Sequence, residues 1–449
     1  MTKQQKTNLY TAVADACCKT VSKREQLRRE ARVRQLIDAP FRPVFRFAVV
    51  TDVHINAERP VCAARLREMF ATAYDYSAKD KAHPTLDAVL FSGDNTDWGG
   101  QDQYDILNAV LRESVRPETK VITVMGNHDH GGTGVDGYRK NLDDRLDKHE
   151  VVGGYHFIGL SPLPNDTWHT PKQLRWLRKE LKKAKQDDPA KPIFTFQHGH
   201  IWKSVYVSRS WYTQASFLMH PIFARFPQVI NFSDHSHGPV NHPLTVWQSR
   251  YTSFGAGTLN YFEMERDIGD NTVPPGSDNA AQYLIVEIDA ENRVRVQPYN
   301  ILTHAFFRDP GDPVRQLVYF IEAPRDRKTY VYTGARRKTD PAPQFSPGAK
   351  AAVSNVTERA ATVTFPQAES PVCVYGYRLL LADAAAPQKT LLKKELYSEY
   401  YFEPMPQTLS CTFDDLQPGR EYAVRILPLN SWRKAGAPLT VTFQTPRQA

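Results

Sequence analysis

Residues 45–54 read FRFAVVTDVH, and this stretch decides the fold that we predict. Its first part is an apolar run with the length and composition of a buried β-strand. The run ends in Asp52 and His54, two side chains that bind metal ions through carboxylate oxygen and imidazole nitrogen. What the chain can bind therefore depends on whether other apolar runs end in the same way.

The pattern recurs four times further along the chain. The five motifs, each just after an apolar run, are Asp52-Val53-His54, Gly93-Asp94-Asn95-Thr96-Asp97, Gly126-Asn127-His128-Asp129, Gln197-His198 and His235-Ser236-His237. Segments with helical spacing of apolar residues separate the runs, for example residues 65–76 and 104–111. Strands that alternate with helices predict an α/β domain, in which sites gather beyond the carboxyl ends of the strands.

Length and composition set the number of domains. A chain of 449 residues is too long for one compact core and suggests two or three domains. With 41% hydrophobic and 24% charged residues, it has the composition of a soluble globular protein. We predict an N-terminal helical extension over residues 1–40, the α/β domain over 41–335, a linker over 336–348 and an all-β sandwich domain over 349–449.

The last hundred or so residues alternate apolar and polar side chains, as strands with one buried face do. The alternation covers residues 361–365, 374–380 and 422–427. Between Leu416 and Tyr422 the spacing is that of a tyrosine corner, in which a tyrosine hydroxyl bonds the backbone a few residues upstream. This region, residues 351–443, resembles a fibronectin type III module.

The N-terminal part carries a local excess of positive charge. Residues 19–36 contain seven basic and two acidic side chains, a net charge of 7 − 2 = +5. Such a patch could bind nucleic acid or an anionic membrane, or it could be the solvated face of a helix that starts after Ser22. We favour the solvated face and expect no nucleic-acid partner, because aromatic side chains for base stacking are missing there.

Membrane and redox signals are weak. No stretch approaches the roughly 20 apolar residues of a membrane-spanning helix, so we predict no transmembrane segment. Residues 1–18 lack the apolar core of a signal peptide, which leaves the localisation open between cytoplasmic and processed extracytoplasmic. The five cysteines follow no disulfide or zinc spacing, and we predict reduced thiols.

The residue types in the five motifs suit the hydrolysis of a phosphate ester. Two divalent metal ions about 3.5–4 Å apart can activate a water molecule and neutralise the phosphoryl oxygens. Holding two cations so close needs a shared carboxylate, and Asp94, which follows a glycine, can reach between them. Oxygen and imidazole ligands without thiolate suit manganese, iron or zinc, and the sequence does not choose among them.

The five motifs in this order resemble those of the calcineurin-like metallophosphoesterase superfamily, over residues 45–262. The resemblance implies a two-sheet β-sandwich core flanked by helices. It also implies two metal ions, the first held by Asp52, His54 and His237, the second by Asn127, His198 and His235, and both bridged by Asp94. His128 would then be the catalytic acid that protonates the leaving group, and Asp129 would orient His128.

Three positions depart from, or refine, the family pattern. Asp234 stands where a glycine usually precedes the His-x-His pair, and it could adopt the turn conformation or accept a hydrogen bond from a ligand imidazole. His200 lies in a block that often reads His-His-Pro, and it could touch substrate or face solvent. Asp97 makes the second motif similar to that of bacterial phosphodiesterases for cyclic nucleotides or glycerophosphodiesters. The motif lacks the tyrosine ligand of purple acid phosphatases, which predicts a colourless protein.

The resemblance implies a metal-dependent phosphoric ester hydrolase that cleaves a small-molecule substrate by direct attack of a metal-bridging hydroxide. We expect a phosphodiesterase, and direct attack would invert the configuration at phosphorus. Two other interpretations stay open: a catalytically weak protein that binds phosphorylated ligands or mediates adhesion, and a nuclease that uses the basic N-terminal segment. The complete ligand set argues against the first, and the second would require salt-dependent DNA binding. Protein partners are left open.

Overall fold

The computed structural model describes residues 8, 11–13, 21–164, 169–213, 215–265, 268 and 273–448. The chain divides into two compact units. The first consists of Met1–Met264, Pro275–Phe307 and Gln316–Thr339, and the second of Glu265–Pro274, Arg308–Arg315 and Asp340–Ala449. Two short segments inside the predicted range 41–335 thus group with the C-terminal unit, whereas the last boundary falls within the predicted linker.

The first unit alternates strands and helices over most of its length. Its helices are α1 (Lys23–Ile37), α2 (Pro60–Ala78), α3 (Gln101–Ser114), α4 (Gly134–Asn141), α5 (Pro171–Asp187), α6 (Met219–Phe223) and α7 (Arg336–Thr339). The strands as far as residue 321 are β1 (Pro43–Val50), β2 (Ala88–Phe91), β3 (Lys120–Thr123), β4 (Lys148–Val152), β5 (Tyr155–Leu160), β6 (Ile193–Gly199), β7 (Val229–Asp234), β8 (Val246–Gln248), β9 (Thr252–Gly255), β10 (Gln282–Asp289), β11 (Val294–Asn300), β12 (Ala305–Phe306), β13 (Arg308–Asp309), β14 (Asp312–Gln316) and β15 (Tyr319–Ile321). Of these, β13 and most of β14 belong to the second unit.

Two sheets form the centre of the first unit. The first has the order β12-β11-β10-β1-β2-β3, with β15 paired to β11, and its strands β1, β2 and β3 are parallel. The second has the order β4-β5-β6-β7-β9-β8, with β5, β6, β7 and β9 parallel. Because neighbouring strands run the same way, their carboxyl ends lie at a common edge, where the predicted motifs begin.

The two sheets face each other across an apolar core. Phe47 of β1 packs there against Phe194 of β6, with ring centroids 4.8 Å apart. The next residue, Ala48, faces the opposite side, where the first sheet packs on α2 and α3. Both faces of β1 are therefore buried, which explains a continuous apolar run instead of an alternating one. Since α5 covers the outer face of the second sheet, the predicted two-sheet core flanked by helices is confirmed.

The second unit contains an all-β sandwich. Its remaining strands are β16 (Ala352–Ser354), β17 (Ala361–Pro366), β18 (Gly376–Asp383), β19 (Thr390–Tyr397), β20 (Thr408–Phe413), β21 (Glu421–Leu429) and β22 (Leu439–Gln444). They form the sheets β16-β17-β20 and β19-β18-β21-β22, which enclose Val363, Leu379 and Val424. The predicted tyrosine corner is present, because the backbone N–H of Gln417 donates to the Tyr422 hydroxyl over 2.8 Å. The resemblance to fibronectin type III stays a prediction.

Helix α1 confirms the predicted start after Ser22, whose hydroxyl accepts a hydrogen bond from the Glu25 N–H over 3.2 Å. Ser22 and Glu25 do not form a reciprocal capping box, because the Glu25 carboxylate pairs with Arg28 and Arg29. The buried Gln26 donates to the Val331 carbonyl oxygen, which attaches the helix to the rest of the first unit.

Two other predictions concern membranes and thiols. Among the described residues no helix has the length and hydropathy needed to cross a bilayer. Cys62, Cys373 and Cys411 are buried free thiols. Cys17 and Cys18 lie outside the described residues.

Candidate metal centre

Five of the predicted metal-binding residues have a left-handed backbone. The φ angles of Asp52, His54, Asp94, His235 and His237 are 51°, 50°, 48°, 75° and 52°. Asp and His enter this region more readily than most residues, but such positions still cost on the order of 1–3 kcal/mol each. These strained residues follow the ends of β1, β2 and β7, so the surrounding fold holds one edge of the molecule in an unfavourable conformation.

A first cluster consists of Asp52, His54 and His237. Asp52 Oδ1 lies 3.1 Å from His237 Nε2 and 3.8 Å from His54 Nε2. The two imidazole Nε2 atoms are 3.3 Å apart. One carboxylate oxygen and two imidazole nitrogens thus surround a common point, which is a donor set for a divalent metal ion.

A second cluster consists of Asp94, Asn127, His198 and His235, each from a different strand end. His198 Nε2 lies 3.1 Å from Asp94 Oδ2, 3.0 Å from Asn127 Oδ1 and 3.1 Å from His235 Nδ1. Carboxylate, amide oxygen and imidazole again converge. The His198 imidazole reaches this point because β6 bulges between Phe196 and Gly199 against β7.

Asp94 belongs to the second cluster and also lies close to the first. Its Oδ2 is 3.1 Å from His198 Nε2 and 3.7 Å from His54 Nε2. Two glycines leave room for this approach, since a Cβ atom at Gly126 would lie 2.1 Å from Asp94 Oδ1 and one at Gly93 would lie 2.7 Å from the His198 side chain. The structure therefore brings together all seven predicted ligands, and their assignment to metals stays a prediction.

Hydrogen bonds at Nδ1 orient three of the four imidazoles. The Nδ1 atoms of His54, His198 and His237 lie 3.1, 3.1 and 3.0 Å from the Asp97 carboxylate, the Ser92 carbonyl and the Tyr261 carbonyl, respectively. A nitrogen that donates to such an acceptor leaves the other nitrogen with its lone pair. That other nitrogen is Nε2, which in each case faces a cluster. His235 presents Nδ1 instead.

Burial and proximity set the charges of the centre. Burial opposes ionisation of Asp52, but His237 and His198 hold the pKa of this carboxyl well below its usual range. Burial also opposes the charged form of His54, yet the nearby carboxylates of Asp52 and Asp97 raise its pKa to about 10. The carboxylates therefore require positive charge beside them, whether protons or metal ions supply it.

Two carboxylate oxygens indicate whether metal ions fit these two clusters. Asp52 Oδ1 and Asp94 Oδ2 are buried and have no hydrogen-bond donor. Each lies 3.1 Å from an imidazole nitrogen, but without the geometry of a hydrogen bond. A buried, unpaired carboxylate oxygen is costly, whereas a carboxylate and imidazoles that ligate the same cation have this arrangement. The residues present fit a pair of divalent cations.

His128 lies at the rim of the centre, with its side chain 37% exposed. Its Nδ1 is 2.7 Å from the Asp97 carbonyl oxygen, and its ring packs edge-on against His54 with centroids 4.5 Å apart. Asp97 therefore positions two imidazoles, His54 through its carboxylate and His128 through its carbonyl. The sequence pattern placed Asp97 in the second motif but did not indicate this role.

The role predicted for Asp129 is wrong. This buried carboxylate accepts hydrogen bonds from the backbone N–H groups of Asn95, Thr96 and Gly126 and from the side chains of Asn95 and Thr96. None of its hydrogen bonds reaches the His128 ring. Asp129 instead ties the loops of the second and third motifs together.

Both expectations for the departures from the family pattern are wrong as well. Asp234 is part of β7, and the left-handed conformation falls on His235. The Asp234 carboxylate accepts hydrogen bonds from Ser236 and from the Gly257 N–H, not from an imidazole. His200 is 1% exposed, so it neither faces solvent nor touches substrate. Burial, with His235 nearby, lowers the pKa of His200 to about 3 and keeps it neutral.

Aromatic rings surround the centre. Tyr261 packs on His237 with ring centroids 4.2 Å apart, and Trp211 packs edge-on against His235 at 5.0 Å. Trp98, which follows the second motif, is 65% exposed and is the one aromatic residue among the exposed large apolar side chains of the described ranges. An exposed indole beside these loops can pack against a ring of a ligand.

Comparisons with known proteins agree with this geometry. Residues 45–238 match the family described as Calcineurin-like phosphoesterase. Over these residues the chain is similar to calcineurin-like phosphoesterases. It is 31% identical over 156 residues to a "Probable cyclic nucleotide phosphodiesterase" of Rhodococcus erythropolis (strain PR4 / NBRC 100887). The alignment covers 31% of this chain and 48% of that protein, so the chain spans about half the length of this relative.

Solved structures are similar at low identity. Purple acid phosphatase PPD1 from yellow lupin (Lupinus luteus) seeds is 14% identical, with 64% of this chain and 54% of that chain covered and a TM-score of 0.43. The fn3 domain of the human collagen alpha-1(XX) chain is 18% identical, with 24% of this chain and 86% of that chain covered and a TM-score of 0.18.

Proposed function

We propose that this chain is a dinuclear-metal-dependent phosphoesterase and that its substrate is a phosphodiester. One observation carries the proposal. Asp94 Oδ2 lies 3.1 Å from His198 Nε2 of the second cluster and 3.7 Å from His54 Nε2 of the first, and it has no hydrogen-bond donor. A buried carboxylate in that position is suited to two cations at once. The calcineurin-like phosphoesterase match over residues 45–238 supports the same chemistry.

The two clusters support the proposed ligand assignment. Asp52, His54 and His237 would hold the first metal ion, Asn127, His198 and His235 the second, and Asp94 both. When bound, such a pair activates a water molecule and neutralises charge on the phosphoryl oxygens. The protein's contribution is rigidity, because the Nδ1 hydrogen bonds and the left-handed turns fix each donor before the metals arrive.

His128 is suited to act on the leaving group. The Asp97 carbonyl oxygen, 2.7 Å from His128 Nδ1, accepts a hydrogen bond from the N–H of that nitrogen. A protonated His128 then carries its second proton on Nε2, at the partly exposed rim where an ester oxygen would depart. In this proposal His128 donates that proton to the leaving oxygen, and Asp97 holds its ring in place.

The preference for a diester has two supports. Asp97 occupies a position in the second motif that resembles bacterial phosphodiesterases. The relative from Rhodococcus erythropolis is named a probable cyclic nucleotide phosphodiesterase. Both supports favour substrates in which phosphate links two organic groups. If one of these groups contains a ring, that ring could pack against Trp98.

Hydrolysis of two chromogenic esters tests the proposal. The full chain would be loaded with Mn²⁺, its metal content measured, and its turnover of bis-p-nitrophenyl phosphate compared with that of p-nitrophenyl phosphate. We expect two metal ions per chain and faster turnover of the diester.

Three outcomes would contradict parts of this proposal. A protein that holds two metal ions and turns over neither ester would be a phosphate-binding protein. Faster turnover of the monoester would remove the diester preference. Retention of configuration at phosphorus, measured with a chiral phosphorothioate diester, would contradict direct attack by water.

A further inference from the structure

We propose that Asp234, Ser236 and His200, with Ser233, form a buried hydrogen-bond chain that positions the metal-binding imidazoles of the second sheet. We call these four residues the positioning chain. The inference rests on the proposed function, since it assigns the chain a role toward metal ligands. It also explains why the two departures from the family pattern occur together in this protein.

The contacts form one continuous path. Asp234 Oδ1 accepts from the Ser236 hydroxyl over 2.9 Å, and that hydroxyl lies 2.8 Å from His200 Nε2. His200 Nδ1 lies 3.0 Å from the Ser233 hydroxyl. The Gly238 N–H also donates to Ser236 Oγ, over 3.2 Å. The two positions that depart from the family pattern, Asp234 and His200, are thus joined through one serine.

Every polar group of the positioning chain is satisfied with a neutral imidazole. Each hydroxyl can donate once and accept from its other neighbour, while one nitrogen of His200 donates and the other accepts. Because the Ser236 hydroxyl donates to the Asp234 carboxylate, it accepts from His200 Nε2–H, and His200 Nδ1 accepts from the Ser233 hydroxyl. Fully paired buried networks rigidify their surroundings, whereas a network with one member missing leaves a costly unpaired group. The four residues are 0–1% exposed, so none of them can contact substrate.

The positioning chain joins the strand ends that carry the histidine ligands. His200 lies two residues beyond His198, at the end of β6. Ser236 lies between His235 and His237, the left-handed residues with φ of 75° and 52°. Asp234 Oδ2 accepts from the Gly257 N–H beyond β9 over 2.6 Å, and its backbone pairs with Gly199 of β6.

This placement gives the positioning chain a specific task. Left-handed His235 and His237 would relax toward more common conformations if nothing opposed them. The N–H and the hydroxyl of Ser236 both donate to the Asp234 carboxylate, and these hydrogen bonds close the turn between the two histidines. His200 then ties that turn to the strand that carries His198. The positioning residues thereby fix three imidazoles relative to one another.

Two serine variants test the inference, with a matched control. Ser236→Ala removes the central hydroxyl, and Ser233→Ala removes the hydroxyl at the far end of the chain. Ser77→Ala is the control, because Ser77 is equally buried but bonds only a carbonyl of its own helix α2, at 2.8 Å. Measured quantities are the dissociation constants for Mn²⁺ in the full chain, the visible spectrum of the Co²⁺ form and the thermal midpoint without metal.

We expect Ser236→Ala to weaken Mn²⁺ binding by about 10- to 100-fold and to change the Co²⁺ spectrum, as substitutions behind metal ligands do. Ser233→Ala should shift both quantities in the same direction. Ser77→Ala should leave both unchanged, even where it lowers the thermal midpoint by a similar amount. If Ser236→Ala does not fold, Ser233→Ala carries the test.

The inference is overturned if Ser233→Ala and any folded Ser236→Ala bind Mn²⁺ as tightly as the wild type with an unaltered Co²⁺ spectrum. The wild-type protein separates this failure from that of the proposed function. If the wild type binds two metal ions and hydrolyses the diester, and the serine variants behave as the wild type does, only the positioning role is excluded. Wild type that binds no metal removes both.

Discussion

The two compact units differ in the surroundings of the left-handed residues that follow their strands. In the first unit the left-handed residues Asp52 and Asp94 are buried, and their side chains converge. In the second unit the left-handed residues Asn355 and Asp415 lie in exposed turns. In an exposed turn such a residue only provides the left-handed backbone conformation, which glycine would provide as well. The comparison teaches that a left-handed Asp indicates function where burial and converging partners accompany it.

The largest expected effect separates two aspartates that share this backbone conformation. Asp94→Asn should lower turnover of the phosphodiester by more than about 100-fold and release at least one metal ion, because the shared carboxylate charge is lost. Asp415→Asn, in an exposed turn with φ of 57°, is the matched control and should change neither quantity. Equal metal content and turnover in both variants would contradict the comparison.

A second prediction concerns stability in the first unit, away from the strand ends. His169 is buried without a hydrogen-bond partner among the described residues, and burial lowers its pKa from 6.5 to about 4. The unfolded chain binds the proton more tightly, so this contribution to stability is complete above pH 6.5 and is lost as the pH falls toward 4. The difference between the two pKa values corresponds to about 3 kcal/mol.

His169→Leu removes this proton linkage and should lose less stability than the wild type between pH 7 and pH 4.5 in urea unfolding. Diester turnover at pH 7 should stay the same. Parallel pH dependence of the two proteins would show that His169 does not titrate as its burial implies.

The third effect concerns the rim. His128→Ala should reduce turnover of a diester with a poor alkoxide leaving group by roughly 100-fold, and that of bis-p-nitrophenyl phosphate much less, because p-nitrophenolate departs without a proton. His304→Ala is the control, since that side chain is 65% exposed. Metal content should be equal in all three proteins. An equal loss on both esters would argue that His128 binds the phosphate and is not the acid.

A smaller effect is expected in the second unit. Tyr422→Phe removes the hydroxyl that accepts from the Gln417 N–H over 2.8 Å, which should lower the free energy of unfolding by about 1–2 kcal/mol. Diester turnover and metal content should be unchanged. A loss of turnover without a loss of stability would show that the second unit contributes to the reaction.

The smallest effect concerns Trp98. Trp98→Ala should raise KM for an aryl diester about fivefold with kcat unchanged, because one aromatic contact contributes about 1 kcal/mol. Trp98→Phe should keep most of the wild-type affinity. An alkyl diester such as glycerophosphoethanolamine should show no difference between the variants, and a similar rise in KM on that substrate would exclude ring packing.

The sequence predicted the strand ends of the centre because one local rule applies to each of them. An apolar run followed by Asp or His needs no knowledge of distant contacts, and parallel strands bring the five ends to one edge. The Nδ1 acceptors were harder to predict. The carbonyls of Ser92 and Tyr261 belong to the backbone, so no side-chain pattern identifies them.

Other errors came from treating neighbours in sequence as neighbours in space. Asp129 follows His128 directly, yet its partners are Asn95 and Thr96 in another loop. Residues 265–274 and 308–315 read as part of the α/β domain but group with the sandwich, because grouping depends on contacts between distant segments. Local periodicity carries no information about either.

Gly126 carries a consequence for how mutations in this chain would be interpreted. A Cβ atom there would lie 2.1 Å from Asp94 Oδ1, closer than any real contact. In a saturation mutagenesis screen, alanine at this position should therefore be as damaging as the loss of a ligand. A residue with no functional group would be classed as catalytic, although what it contributes is empty space.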